Sequence, residues 1–372
     1  MRSDPPRVTP VAAADRDPGG SLHPVAAGIA PPVNVPVRAI AGTWGVTPQR
    51  VVRLGGNRNI HWVIHSPEGQ FILRRYRHDR EPAAVAYEFA VIAHLASEGW
   101  PVAEPVGPVS VWKGQTFALF PRLPGRRPRS KEPAADGRRG ALLGRLHRDL
   151  GVLALGQRAG WTCLDEFIRT AAEPLVRNAE ARLRDRPELR DVFVRHTVST
   201  HRTLSTCAAD LPRSVIHGDF APWNLLWRDG KLTGLIDFDD VRLDLRAVDV
   251  AIARRRDHEG VVEGYRGCAR LTDEEHFLLA PLWRAYTLRF AADLLRAPAM
   301  TSQVDDALVW CARQLAETVP SGLPRSSPGG IRARRNERTL QELTCQAAVL
   351  PRNQASLSRK PSIRTEPRTR RC

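Results

Sequence analysis

Between Val215 and Asp240 the chain reads VIHGDFAPWNLLWRDGKLTGLIDFDD, and this stretch constrains the fold more than any other. Asp229 and Gly230 separate the apolar runs LLW and LTGLID, a spacing that predicts a tight hairpin of two short strands. Asp219 and Asn224 precede the first strand and Asp237 ends the second. The fold-back therefore gathers these polar side chains at one end of one hairpin, with His217 beside them. Carboxylate and amide oxygens converging in this way suit a hard cation such as Mg²⁺, which takes oxygen ligands and keeps several waters.

The remaining pattern predicts an α+β chain of two unequal lobes. RVVRLGG, IHWVIHS and FILRRYR read as strands, with Pro67, Glu68 and Gly69 as a turn. In IHWVIHS the residues Ile60, Trp62 and Ile64 alternate with His61, Val63 and His65, the period of a strand with one buried face. EPAAVAYEFAVIAHLASEG follows as a helix opened by Pro82 and stopped near Gly99. PVSVWKGQTFALF is a strand pair turning at Lys113 and Gly114. Helical patterns dominate beyond LPGRRPRSKEPAADG, and only the quoted stretch interrupts them with strands. In EEHFLLAPLWRAYTLRFAADLLRA, Pro281 should start a new helix or kink a continuing one.

This divides the 372 residues into a disordered leader over 1–40, a small antiparallel-sheet lobe over 41–124, a larger mainly helical lobe over 125–319 and a basic disordered tail over 320–372. The tail decides what the charge means. It holds 12 of the Lys and Arg against 3 Asp and Glu, so +9 of the formal +16 lies there, and the body is too mildly basic to read as a nucleic-acid binder. The six cysteines lie far apart with no Cys-x-x-Cys pair, which indicates neither a zinc site nor a disulfide framework. Reduced thiols in a cytoplasmic protein are expected. No apolar run is long enough to span a membrane, and Pro5, Pro6, Pro10 and Pro18 break any signal-peptide core. Oligomeric state has no signature in the sequence.

The spacing His217-Gly218-Asp219, then Asn224 five residues on, then Asp237-Phe238, matches the catalytic-loop pattern of protein kinases. More closely, HGDFAPWN and LTGLIDFDD resemble the HGDxxxxN loop and the later Ile-Asp strand end of the aminoglycoside phosphotransferases and their choline and homoserine kinase relatives. The resemblance covers roughly residues 45–300. It implies a protein kinase-like fold and an ATP- and Mg²⁺-dependent transfer of the γ-phosphate to a hydroxyl of a small acceptor. Asp219 is then the catalytic base or hydroxyl-orienting residue, Asn224 and Asp237 the metal ligands, and His217 a residue that fixes the loop. Gly218 replaces the Arg with which protein kinases grip a phosphorylated activation loop, Asp239 stands where they have Gly, and no Ala-Pro-Glu segment follows. These departures favour a small hydroxylated substrate over a peptide.

The same resemblance assigns the nucleotide side. FILRRYR is similar to the family's third strand, so Arg74 is the candidate phosphate cation and Glu88 its partner, with a surface ion pair as the blander alternative. Gly55 and Gly56 in LGGNRN would let backbone N–H groups approach phosphate. Phe117 to Leu123 would join the lobes and offer backbone groups to the adenine ring. Asp239, Asp240, Asp244 and Asp249 either attract an amine-bearing substrate or serve as caps and as partners of Arg242 and Arg246. A Walker-type phosphate loop is absent. A compact Ser/Thr protein kinase and a non-catalytic nucleotide-binding scaffold stay open as alternatives.

Overall fold

A computed structural model of the chain describes residues 35–54, 59–128, 133–255 and 258–317. Strands β1 (Arg50–Leu54), β2 (Ile60–Ser66), β3 (Gly69–Arg75), β4 (Ser110–Trp112) and β5 (Gln115–Pro121) form an antiparallel sheet of order β1-β2-β3-β5-β4. Helix α1 (Val37–Gly42) precedes the sheet and α2 (Pro82–Ser97) lies between β3 and β4, opened by Pro82 in its first turn. Lys113 and Gly114 take left-handed backbone between β4 and β5, as their two-residue hairpin requires.

Residues 37–40, expected to belong to a disordered leader, begin α1. Ile40 and Ala41 of α1 are buried with Ile60, Trp62, Ile64, Leu73, Phe117 and Leu119 on one face of the sheet. The opposite face packs Ala118 and Phe120 against Val85, Ile92 and Leu95 of α2. β2 is also not a strand with a single buried face, since Val63 is buried at 5% exposure beside Ile64 at 0%. Val63 lies opposite Ile72, itself opposite Phe120, on the face that α2 covers, and alternation within β2 does not reveal that helix.

The larger lobe contains α3 (Pro133–Leu150), α4 (Leu164–Arg182), α5 (Pro187–Cys207), α6 (Ala247–Arg254), α7 (Glu259–Arg266), α8 (Asp273–Leu295) and α9 (Ser302–Ala316). Its strands are β6 (Arg213–Ile216), β7 (Leu225–Arg228), β8 (Lys231–Leu235) and β9 (Arg242–Leu245). β7 and β8 form the expected hairpin, with Asp229 and Gly230 in left-handed backbone at its turn. The quoted stretch is not one interruption, however: its first residues belong to β6, which pairs with β9. The two pairings bracket the residues from His217 to Asn224 and from Ile236 to Val241 and fix both ends of each. Helix α8 opens with a reciprocal Thr272/Glu275 cap and continues through Pro281.

Two features of this lobe carry measurable consequences. Helices α3 and α7 approach through glycines. A Cβ on Gly140 would lie 2.0 Å from Val261 O, and one on Gly264 would lie 1.9 Å from Gly137 O. Backbone atoms cannot yield as a side chain does, so Gly140→Ala should destabilise the protein by about 1–3 kcal/mol, read as a lower urea midpoint with an unchanged slope.

On α5, His196 is 5% exposed, and its pKa is pushed down to about 4 by burial and by the nearby Arg284 and Arg195. The unfolded chain protonates this ring near pH 6.5, whereas the folded protein resists to about pH 4. Its stabilising contribution is thus complete above pH 6.5 and is lost as pH falls toward 4, by at most about 3 kcal/mol. In His196→Leu the difference in denaturation midpoint between pH 7 and pH 4.5 should narrow; an unchanged difference would remove His196 as its source.

Candidate active site

β6 ends at Ile216, and the chain turns through Gly218 at φ 82°. A side chain at Gly218 would meet Asp240 O at 2.2 Å and Arg242 Nη1 at 2.6 Å, so both the conformation and the space demand glycine. This is why an arginine of the protein-kinase kind has no room there. The 3₁₀ turn Pro222–Asn224 then leads into β7. Asn224 Nδ2 donates to Asp219 Oδ2 and to Asp219 O, both at 2.9 Å, leaving the amide oxygen Oδ1 as its acceptor. Ile236 N donates to Asn224 O at 3.0 Å, which sets Asp237 beside this pair.

Asp237 itself has φ 69° and ψ 63°, a left-handed conformation that Asp and Asn tolerate better than most side chains. Its side chain keeps 48% of its surface open. Enclosure in the cleft, together with Asp239, Asp219 and Asp240, raises its pKa, and Arg74 opposes the rise. Given that exposure, we take the neighbouring carboxylates as the more telling cause. Excess negative charge next to an open carboxylate and an amide oxygen is the donor chemistry of a hard-cation site, so the residues present fit one.

His217 is fully buried between Phe220 and Phe238, with ring centroids at 5.9 and 4.9 Å. Its contacts set the tautomer: Nε2–H donates to Ile236 O at 3.2 Å, and Nδ1 accepts from Asp219 N at 3.3 Å. One imidazole therefore links the Asp219 loop to the segment between β8 and Asp237. Both of its nitrogens are engaged.

From the sheet side, Arg74 Nη1 meets Glu88 Oε1 at 2.7 Å, with side chains 11% and 1% exposed, so this is a buried pair and not a surface one. Arg74 Nη2 lies 4.0 Å from Asp237 Oδ1. Burial works against the Arg74 charge, but Glu88, Tyr76, Asp237 and Asp239 more than offset it and hold the guanidinium firmly charged. Burial also lifts the Glu88 carboxyl, while Arg74 and Arg158 pull it back. With guanidinium nitrogens at 2.7 and 3.5 Å we take it as ionised. The arrangement thus joins Arg74, Glu88, Asp219, Asn224, Asp237 and His217. Gly55 and Gly56 lie outside the described residues.

Sequence reading missed several supporting groups. His61, opposite Arg74 in the β2–β3 register, accepts Arg74 Nε at 3.1 Å. Burial and Arg74 push its pKa down to about 3, so it is the neutral ring this bond needs. Asp249, wholly buried, accepts the backbone N–H groups of His217 and Gly218 at 2.7 Å each and faces His147 Nε2 at 3.3 Å. His147 Nδ1 in turn meets the Tyr265 hydroxyl of α7 at 2.9 Å. The available signal was an aspartate inside the apolar run AVDVAIA, a position that calls for partners.

Three of the four later aspartates are held by partners within the protein. Asp239 pairs with Arg80 at 2.9 Å, Asp244 pairs with Arg242 and accepts the backbone N–H of Leu164 and Leu245, and Asp249 holds the base loop. Arg246 pairs with Glu275 rather than with any of them. Ligand atoms of Cys163, Asp165 and Asp244 also lie within 4.8 Å of one another. Arg213 already balances Asp165 there, and Arg242 balances Asp244.

Between the lobes, Arg126 and Trp227 exchange backbone hydrogen bonds at 2.9 and 2.8 Å, tying the connecting segment to the β7–β8 hairpin. Among the described residues, no helix is long and apolar enough to cross a membrane.

Comparison with known proteins bears on the family and the fold. The model of the phosphotransferase enzyme family matches residues 51–273. A homoserine kinase of Granulibacter bethesdensis is 27% identical over 259 residues, covering 63% of this chain and 77% of its own. One of Acidiphilium cryptum is 28% identical over 277 residues, covering 68% and 82%. Among solved structures, a microcompartment-associated aminopropanol kinase shares the fold with a TM-score of 0.61 at 19% identity, over 75% of this chain and 94% of its own. An amicoumacin kinase in complex with AMP-PNP and Ca²⁺ does so with a TM-score of 0.56 at 15% identity, over 76% and 92%.

Proposed function

We propose, from the premise that this chain belongs to the phosphotransferase enzyme family, an assignment of residues to its reaction, the ATP-dependent phosphorylation of a small molecule's hydroxyl group. The observation that carries the assignment is the grouping of Asp219, Asn224 and Asp237 on one hairpin, with the paired Arg74 4.0 Å from Asp237. Asp219, whose carboxylate accepts a hydrogen bond from Asn224 Nδ2, is the group that takes the acceptor's hydroxyl proton. His217 and Asp249 hold that carboxylate in place through the backbone of the loop.

Arg74, fixed by Glu88 and His61, steadies the nucleotide phosphates. Asn224 Oδ1 and Asp237 would hold a divalent cation, Mg²⁺ in this reading, which when bound supplies charge neutralisation at the triphosphate. Positioning and charge compensation are the main catalytic effects such a site offers.

The acceptor in this reading is a hydroxylated amino acid or amino alcohol. Its support is the homoserine kinases among the relatives and the aminopropanol kinase among the shared folds. We place the reaction in the cytoplasm, in keeping with the free thiols of Cys163, Cys207, Cys268 and Cys311. An ATP-consumption screen over homoserine, amino alcohols, aminoglycosides and sugars tests the acceptor. Consumption above an Asp219→Asn blank is expected with homoserine or an amino alcohol. Consumption confined to sugars, or phosphate appearing only on added protein, would overturn the acceptor class.

A further inference from the structure

Arg158 lies between α3 and α4, outside every motif of the site, and is 1% exposed. On one side its Nε donates to Ala84 O at 2.9 Å and its Nη2 lies 3.5 Å from Glu88 Oε2, both on α2. On the other side its Nη1 donates to Asp239 O at 2.8 Å and Val241 O at 2.9 Å, in the turn that follows Asp237. A single planar group therefore joins the helix that carries Glu88 to the turn that carries Asp237. Arg80 approaches the same turn from the sheet lobe and binds the Asp239 carboxylate at 2.9 Å, with side chains 10% and 7% exposed. Both guanidiniums lie over the ring of Trp161, at 5.5 Å for Arg80 and 5.8 Å for Arg158.

We propose that Arg158 is a positioning residue for phosphoryl transfer: with Arg80 and Asp239 it clamps α2 to the turn after Asp237, holding Arg74 and Asp237 in register before nucleotide arrives. The inference rests on the reading of Arg74 and Asp237 given above.

Three physical points favour it over a purely structural role. A sealed guanidinium whose nearest carboxylate is shared with Arg74 is a costly way to fill space, since an apolar side chain of similar volume is often as stable or more so. Its acceptors are mostly backbone carbonyls reached from Nε and Nη1, with Nη2 toward Glu88, a set that an arginine fork can meet together. They also lie on the two elements whose separation sets the Arg74–Asp237 distance. A kinase clamped in this way keeps α2 in its working position without a movable segment to bring it there.

The test compares Arg158→Lys with the wild type and with Arg213→Lys, which alters a partly exposed arginine pair with Asp165 that is not among the Arg158 contacts named above. The measurements are the melting temperature of the free enzyme, its rise with Mg²⁺ and AMP-PNP, and steady-state kinetics well below the melting temperature. Arg158→Lys should lower kcat/KM for ATP by about 30-fold with the acceptor KM within about twofold, and should shrink the nucleotide-induced rise in melting temperature. Combined with Glu88→Gln, its effect should be less than additive, because both changes release the same helix.

Should Arg158→Lys not fold, Arg80→Gln cuts the more accessible half of the clamp and should lower kcat/KM for ATP by about fivefold. If the foldable variant has a lower melting temperature but unchanged kcat/KM for ATP and unchanged nucleotide protection, the proposal fails. A wild-type enzyme that transfers phosphate to no hydroxylated acceptor would instead remove the functional reading, and nucleotide protection would still decide on Arg158.

Discussion

Asp219→Asn should lower kcat by about 10³-fold or more while the enzyme still binds nucleotide, because the substitution removes the proton acceptor and little else. An asparagine in this place has nearly the same shape, and its side-chain oxygen can still accept the hydrogen bond from Asn224 Nδ2. The backbone bonds of Asp249 to His217 and Gly218 do not involve it. The loop should therefore keep its conformation and the melting temperature should change little. Single-turnover kinetics with ATP and the acceptor, beside a nucleotide-binding isotherm, separate the chemical step from binding. An Asp219→Asn enzyme that turns over at more than about a tenth of the normal rate would remove Asp219 as the base.

Asp237→Asn should cost about 10² to 10³-fold in kcat/KM for ATP and should raise the Mg²⁺ concentration needed for half-maximal rate. Asparagine is the informative replacement here. It tolerates the left-handed backbone at φ 69° almost as well as aspartate, so the turn survives and only the charge is lost. Arg74, 4.0 Å away, would then lose one compensating charge on that side and would rely chiefly on Glu88. Steady-state rates over a series of Mg²⁺ concentrations provide the check. A metal requirement that does not move would place the cation elsewhere.

The parts of this molecule legible in the sequence are the ones decided by neighbours along the chain. Asp229-Gly230 and Lys113-Gly114 supply left-handed backbone at hairpin turns, and the structure turns at both. Pro82 opens α2 and the helix stops just before Gly99. The spacing of Asp219, Asn224 and Asp237 around one hairpin could be read before any coordinates, because a tight turn leaves the strand ends nowhere else to go.

Other features escaped because their cause lies far away in the sequence. Residues near position 40 looked too poor in pattern to pack, yet α1 covers a sheet face that no local signal announces. Asp249 looked like a helix cap or a substrate trap and is instead the acceptor for the base loop, 32 residues from His217. β6 finds its partner β9 across the entire catalytic hairpin. Arg158 had no motif around it at all.

By itself, then, the sequence determined that a hairpin would gather Asp219, Asn224 and Asp237, since turn preference and side-chain period act over a few residues. Tertiary structure alone decided how the sheet's Arg74 meets Asp237, and which buried aspartates serve as supports instead of ligands. Those outcomes depend on pairing every buried charge and backbone donor in a nearly water-free interior, and the partners are chosen only when distant segments pack together.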